Sequence, residues 1–491
     1  SYYIVDVTGK VPDAEKDQAI RRPRHGESKG KVVCNKTWKR RLLKAGLTNL
    51  GEYRLKRSAW PILNYLNSSG PLLVEYGVHK ELERMGFDLI PSRDNKSLAN
   101  VDELIEKLAR YGERHGMRDA DSEALHRAYK VTMRRFGCTK GKMEPFRLGP
   151  NLADTLKLSR SAGLPLLGKK VDAFQSDLER ARRIVHGRKP DPCLSFRRVQ
   201  HGDDGPKTRL VWGYPQSMTI LEAKFAPLLI ERFLSASTPM AFGLGKIQVG
   251  AKMTRIRNSN VRYSLDFSGF DASVPVGLIV FAFRVLRTHF EFVDEEDELA
   301  WDRVIKYFIH TPIMTPDRQV YMVNGGVPSG SFFTQLVDSI VNYCAVQYMM
   351  MRIFGHTAGV DKLLVLGDDA IIGDDEYRSL KQIASAFWEL GLKLNVGKTG
   401  VTQFARGDPH FLGHYWPTCL PDRPIEEVVK RWTFPEKVSG IKDSKMRALI
   451  RLLSLIGDSQ SAQELVFKVA PYKGPNIQRR FLSLLDLYDA R

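Results

Sequence analysis

From Val261 onward, short runs of β-prone residues, YSLDF, QVYMV and LLVLGDDAII, alternate with longer segments, Val276 to Phe290 and Phe332 to Met351, that read as helices. Helical spacing, with apolar residues at i, i+3 and i+4, also runs through Val101 to Tyr111 and Ser217 to Phe233. It returns between Lys445 and Leu487, where Gly457, Pro471 and Pro475 interrupt it. The pattern predicts an α+β core: a small, mostly antiparallel sheet covered by helices, with a small helical unit after it. The stretch up to about Pro150 is polar and mixed in charge, and the sequence shows no internal repeat and no low-complexity segment.

Composition sharpens this picture. The chain has 491 residues, 43% of them hydrophobic, enough to bury a sizeable core. Lys and Arg number 75 against 56 Asp and Glu, a formal charge of +19 that points to a polyanionic partner. Part of the excess sits in Arg21, Arg22, Arg24, Lys29, Lys31, Lys36, Lys39, Arg40, Arg41 and Lys44, which suit either a solvated face or RNA contact. The most apolar run, Val274 to Phe283, ends at Arg284, too short for a membrane span, so no membrane insertion is expected. The opening SYYIVDVTGK lacks the charge and apolar pattern of a secretion signal. Cys34, Cys138, Cys193, Cys344 and Cys419 are scattered, with no C-x-x-C spacing, which argues against a disulfide framework or a structural zinc and fits a reducing cytosol.

The acidic residues carry the chemistry. Gly-Asp-Asp occurs at Gly202, Gly367 and Gly373, so the triplet alone decides nothing. Only Gly367-Asp368-Asp369 lies between two β-prone runs, Leu363 to Leu366 and Ala370 to Ile372, which predicts a tight hairpin with both carboxylates at its tip. The outer triplets read as ordinary Asp-rich turns. In YSLDFSGFDAS a strand ends at Asp266 and a Gly-containing turn leads to Asp271. If that strand neighbours the hairpin, Asp266 and Asp368 can share divalent cations, which prefer hard oxygen ligands. Asp271 is offset and suits a sugar hydroxyl. Between the two lies the small-residue loop Gly325 to Gly330, opening onto a helix whose Thr334, Asp338 and Asn342 share one face.

Taken in order, these segments resemble the motifs of right-hand polymerases, and among them the viral RNA-dependent RNA polymerases. YSLDFSGFD is similar to motif A, PSGSFFTQLVDSIVN to motif B, LGDDA to C, GLKLNVGKT to D and FLGHYW to E; Lys207 to Val211 resembles motif F, and Ser161 to Pro165 motif G. The resemblance runs from about Ser159 to Trp416 and lies nearest the polymerases of small double-stranded RNA viruses of partitivirus and picobirnavirus type. It implies fingers, palm and thumb: 1–255 as N-terminal extension and fingers, 256–416 as palm with a fingers insertion at about 276–322, and 417–491 as a helical thumb.

By position, the resemblance makes Asp266 and Asp368, with Asp369 in support, ligands of two Mg²⁺ ions, for which Mn²⁺ can substitute. Lys398 takes the place of the motif D general acid, with Lys393 as competitor. Lys207 and Arg209 would grip the triphosphate; Asp271, Ser329, Gly330, Thr334, Asp338 and Asn342 would meet nucleotide and ribose. Arg197, Arg198, Ser161, Ala162 and Gly163 would touch RNA. Asp338 departs from the Asn common in positive-strand relatives, and two facing carboxylates, Asp271 and Asp338, repel unless one is protonated or bonded elsewhere. RNA template and product and nucleoside triphosphates follow as partners, with a viral capsid protein and a place in the virion interior or host cytoplasm. A reverse transcriptase fits less well, because it usually carries an aromatic gate near Asp271 and a Y-x-D-D turn, and a packaging protein would explain only the charge.

Overall fold

The computed structural model describes residues 2–5, 33–56, 59, 72–87, 101–202, 205–435, 441–442, 444–457, 459 and 463. The basic residues from Arg21 to Lys31, the Gly202 triplet's two aspartates and most of the helical stretch after Gly457 lie outside these. Two interleaved sheets organise the rest. The first takes β1 (Thr48–Glu52), β2 (Cys193–Gly202) and β3 (Gly205–Gly213). β4 (Val261–Leu265) belongs to the second, the chain returns to the first with β5 (Pro312–Met314) and β6 (Gln319–Met322), and the second is completed by β7 (Leu363–Leu366), β8 (Asp369–Asp374) and β9 (Gly400–Gln403).

In the second sheet the order is β7-β8-β4-β9, all antiparallel, as the sequence pattern predicts. β4 lies inside the sheet and every residue of it is buried, so its side chains pack on both faces. The first sheet has the order β1-β6-β5-β2-β3 and is antiparallel except between β2 and β5.

Among the helices, α1 (Val101–Ala109) lies beside β3. The expected helix over Ser217 to Phe233 is two: α2 (Gln216–Ala223) and α3 (Ala226–Ser235). Pro227 starts the second, and Lys224 between them is drawn fully inside, its ammonium donating to Glu296 at 2.9 Å, Asp297 at 3.0 Å and the Phe146 carbonyl at 3.0 Å. α4 (Val276–Arg287) and the helix Ser122–Phe136 both pack on α5 (Thr334–Met349). α5 is buried on nearly every face from Leu336 onward, and an apolar circumference of this kind marks a core helix. It passes under β7 and so sits directly behind the Gly367 turn. After the sheet come α6 (Ile425–Thr433) and α7 (Ser444–Ile456), packed together through Trp432, whose indole donates to the Ala448 carbonyl. All five cysteines are free thiols, and no helix among the described residues is long and apolar enough to cross a membrane.

Candidate active site

The carboxylates converge because of strand register. Leu366 pairs with Asp369, leaving Gly367 and Asp368 as a two-residue turn with Gly367 at φ 58°, the conformation glycine supplies at the first turn position. Asp368 therefore occupies the tip, while Asp369 opens the outgoing strand; the expectation that both sit at the tip is corrected by one residue. Ala370 pairs with Leu265, and continuing that register by one residue sets Asp266 across from Asp369. The backbone of Asp266 is fixed at both ends: its N–H donates to Thr399 Oγ1 at 3.1 Å, and its carbonyl accepts from Asn395 N–H at 2.7 Å. By contrast Asp374, in the third triplet, accepts from Glu376 N–H in the local turn expected of it.

Crowding changes the acidity of these groups. Asp369 is pushed up to about 7 by burial first and then by the charges of Asp368 and Asp266. Asp368, though its tip is open to solvent, is raised by desolvation and by Asp266, against the pull of Arg209. Asp266 is raised by desolvation, and the cations that oppose this are Lys398, His410 and Lys207. Lys398 thus faces Asp266 from the Asn395–Thr399 turn, whereas Lys393 is tied into a short ladder opposite Ser268 and has no such effect on Asp266.

A basic strand faces this acidic floor. Arg198 pairs with Arg209 and Gln200 with Lys207, so the two-residue period of a strand puts Arg198, Lys207 and Arg209 on one face of the β2–β3 hairpin. Arg197 pairs with Leu210 and lies on the other face, where burial lowers the pKa of its guanidinium; it does not belong to the same basic wall. Helix α1 extends that wall in a way the sequence reading did not foresee. Desolvation and then the charges of Arg110, Lys207 and Arg209 hold Lys107 below the usual lysine range, which places Lys107 and Arg110 beside the two predicted phosphate ligands. The signal was present only as basic residues on a helix with no obvious partner.

The loop between the sheets is fastened by small residues. A side chain at Gly330 would meet the Trp212 carbonyl at 1.6 Å, so only glycine lets the loop lie against the end of β3. Ser329 Oγ accepts from Trp212 N–H at 3.4 Å, and Thr334 Oγ1 donates to the Pro328 carbonyl at 2.7 Å. Tyr111 donates to the Val327 carbonyl at 2.9 Å and accepts from the Trp212 indole at 3.2 Å, tying the turn after α1 to the loop. Asp271 sends its carbonyl to Val327 N–H at 2.7 Å and hydrogen-bonds Asp338 through its side chain. Burial, then Asp271 itself, drives the Asp338 carboxyl well above the ordinary range, while Asp271 is pushed up to about 6 by burial. The repulsion anticipated from the two carboxylates favours a proton shared by the pair, the direction in which burial drives both groups.

Two groups of candidates take other roles. Asn342 was expected at the ribose, but it is fully buried, and its amide donates to the carbonyls of Gly367 and Asp369, both at 2.9 Å. One turn earlier, Ser339 Oγ accepts from Gly367 N–H at 2.9 Å. Asn342 and Ser339 thus hold the Gly367–Asp369 turn from behind. Ala162 and Gly163 were expected to offer backbone to RNA; instead Ala162 N–H donates to the Gly168 carbonyl at 2.7 Å, and its carbonyl accepts from Gln216 N–H at 2.9 Å. Both residues are buried and anchor their loop to the start of α2, and Ser161 is half-buried beside them.

Divalent cations are implied by the resemblance. Among the described residues no group of three or more His, Cys, Asp and Glu side chains is placed to hold a metal ion by itself. The donors nevertheless fit Mg²⁺, which favours oxygen, keeps several waters and commonly binds through one or two carboxylates plus substrate phosphates. Asp266, Asp368 and Asp369 supply that oxygen set, and their mutual repulsion is what a cation would relieve.

Comparison with known proteins agrees with this geometry. An RNA-directed RNA polymerase of Cryptosporidium parvum virus 1 is 32% identical over 272 residues, 50% of this chain and 50% of that protein. One from Atkinsonella hypoxylon virus is 31% identical over 170 residues, 32% of this chain and 25% of that one. The chain thus spans about half the length of the first relative and less of the second. The crystal structure of a human picobirnavirus RNA-dependent RNA polymerase superposes with a TM-score of 0.60, covering 83% of this chain and 76% of that one at 17% identity, which establishes a shared fold. Residues 197–419 match the family described as viral RNA-dependent RNA polymerase, the span that holds every carboxylate of the site.

Proposed function

We propose that this protein is a template-directed RNA polymerase that joins a nucleoside triphosphate to an RNA 3′-hydroxyl, replicating and transcribing a viral, double-stranded RNA genome. The observation that carries the reading is the convergence of Asp266, Asp368 and Asp369 on one sheet edge, faced by Lys207, Arg209 and Lys398. In this reading the four-stranded sheet and α5 form the palm (256–416, with the insertion at about 276–322), the chain before them the fingers, and α6 and α7 the start of the thumb (417–491). Two Mg²⁺ ions held by Asp266 and Asp368, with Asp369 in support, would activate the attacking hydroxyl and neutralise the leaving charge.

The chain's own residues supply the rest. Arg209 offers a planar fork and Lys207 a point charge to the triphosphate, and Arg198 extends their surface toward RNA. The 3′-hydroxyl loses its proton to solvent as its oxygen attacks the α-phosphorus, the bond to pyrophosphate breaks, and Lys398 gives its own proton to the departing oxygen. Asp271, hydrogen-bonded by Asp338, accepts from the 2′-hydroxyl and so favours ribonucleotides. Family resemblance adds a capsid protein as partner and the virion interior or host cytoplasm as the place of work.

The test is template-dependent incorporation of labelled ribonucleotides with Mg²⁺, beside an Asp368→Ala, Asp369→Ala double variant. Incorporation by the wild type that vanishes in the folded variant is the expected result. Equal incorporation by both would overturn the site, and an RNA-binding wild type that never incorporates, even with capsid protein added, would favour a packaging role.

A further inference from the structure

The segment that opens α5 is held from behind by a carboxyl in a different part of the chain. Glu222, in α2, is 1% exposed. Its two oxygens accept from the Ser331 hydroxyl and, at 3.1 Å, from Phe332 N–H, while Ser331 Oγ accepts in turn from Phe333 N–H at 3.1 Å. The N-cap position Phe333 provides no side-chain cap, so Glu222 and Ser331 together satisfy amides that the helix start would leave orphaned. Burying a glutamate this completely is costly unless its hydrogen bonds repay it, and a leucine of similar size would fill the same space without that cost. Burial pushes Glu222 up to about 8 against those two hydrogen bonds, and the buried Tyr214 and Cys193 are the titratable groups that feel its charge.

What makes this contact more than a cap is its position. On one side of Ser331 lies the Gly325–Gly330 loop, fastened to β3 through Ser329 and Gly330. On the other, α5 carries Ser339 and Asn342, which grip the backbone of the Gly367–Asp369 turn. A shift at Ser331–Phe333 would therefore reach the loop and the catalytic turn together, because α5 is a rigid, buried rod.

We propose that Glu222 is a positioning residue for nucleotide addition: by pinning Ser331 and Phe332 it fixes the loop and the catalytic carboxylates in one frame with the basic strand β3. The proposal rests on the polymerase reading, and misplacements of about 1 Å in such frames can cost about a hundredfold in rate.

The experiment is single-nucleotide incorporation by the full chain on a preformed template–primer duplex, with thermal unfolding and duplex affinity measured in parallel. The proteins are the wild type, Glu222→Ala, Glu222→Gln, Ser331→Ala, Glu222→Ala with Ser331→Ala, and the inactive Asp368→Ala, Asp369→Ala control. Well below its unfolding temperature, Glu222→Ala should lower the maximal incorporation rate about 10- to 100-fold with duplex affinity nearly unchanged. Glu222→Gln should recover most of that rate, and the Glu222–Ser331 double variant should be no slower than Glu222→Ala alone, as expected of residues acting through one contact. A folded Glu222→Ala variant with wild-type rate, or effects of the two single changes that multiply, would overturn it. If Glu222→Ala does not fold, Ser331→Ala carries the decision, and a wild-type rate there overturns the proposal. A wild type that never incorporates refutes the polymerase reading, whereas an active wild type, an inactive control and an unaffected Glu222→Ala refute only the role of Glu222.

Discussion

The two sheets solve opposite electrostatic problems with the same strand geometry. The four-stranded sheet gathers Asp266, Asp368 and Asp369 at one end, and each carboxyl is held above its ordinary pKa range by desolvation, Asp368 and Asp369 also by neighbouring carboxylates. On the β2–β3 hairpin and α1, Arg198, Lys207, Arg209, Lys107 and Arg110 gather instead, and Lys107 is depressed by desolvation and then by the cations around it. Each side is strained by like charge, and the strain on one side is of the sign the other would relieve. A ligand carrying phosphates and divalent cations satisfies the two at once, which is the physical content of reading the gap as a nucleotide site.

This contrast can be broken from either side. The largest effect is expected on the acidic floor: Asp266→Asn should lower incorporation by about a thousandfold or more while duplex binding persists, since it removes a charge needed only at the reacting centre. A smaller residual difference would mean that Asp368 and Asp369 suffice. Next comes Lys398→Ala, expected to reduce the maximal rate about 10- to 100-fold, with Lys393→Ala near wild type; the reverse ranking would transfer the proton-donor role to Lys393.

On the basic wall, Arg209→Ala should raise the KM for nucleotide about tenfold, or ~1.4 kcal/mol of binding, whereas Arg197→Ala should leave KM unchanged because it lies on the opposite face. Equal KM effects would refute the facing derived from register. The last prediction concerns stability, and the pin between the two regions. With Glu222 raised to about 8, the folded state keeps a proton that the unfolded chain releases near pH 4.5, so stability should decline as pH rises from about 4.5 to 8. Glu222→Gln should flatten that slope, by on the order of a few kcal/mol across the window, in denaturant unfolding measured at several pH values. A slope of opposite sign, or one unchanged in the variant, would show that Glu222 is ionised when folded.

Much of this was legible in the residues because local rules suffice for it. A Gly-Asp-Asp between two β-prone runs specifies its own hairpin, and the flanking texture separated it from the third triplet, whose Asp374 makes an ordinary turn. The helices over Val101–Ala109, Val276–Arg287 and Thr334–Met349 follow from apolar spacing alone. Where the reading missed, the deciding partner was remote. Nothing near Ala162 announces that Gln216 will take its carbonyl, and nothing near Asn342 announces that its amide will be spent on the Gly367 turn. Likewise Lys107 and Arg110 gain meaning only when α1 lies along β3.

The segments, the identity of the acidic and basic groups and their order along the chain follow from local sequence, since propensity, turn chemistry and charge are properties of neighbours. Long-range packing fixed which carboxylates oppose one another, which face of β2 meets the site, and that Asp271 and Asp338 are buried against each other. Those outcomes depend on strand register and burial, which are set by contacts between residues far apart in the chain.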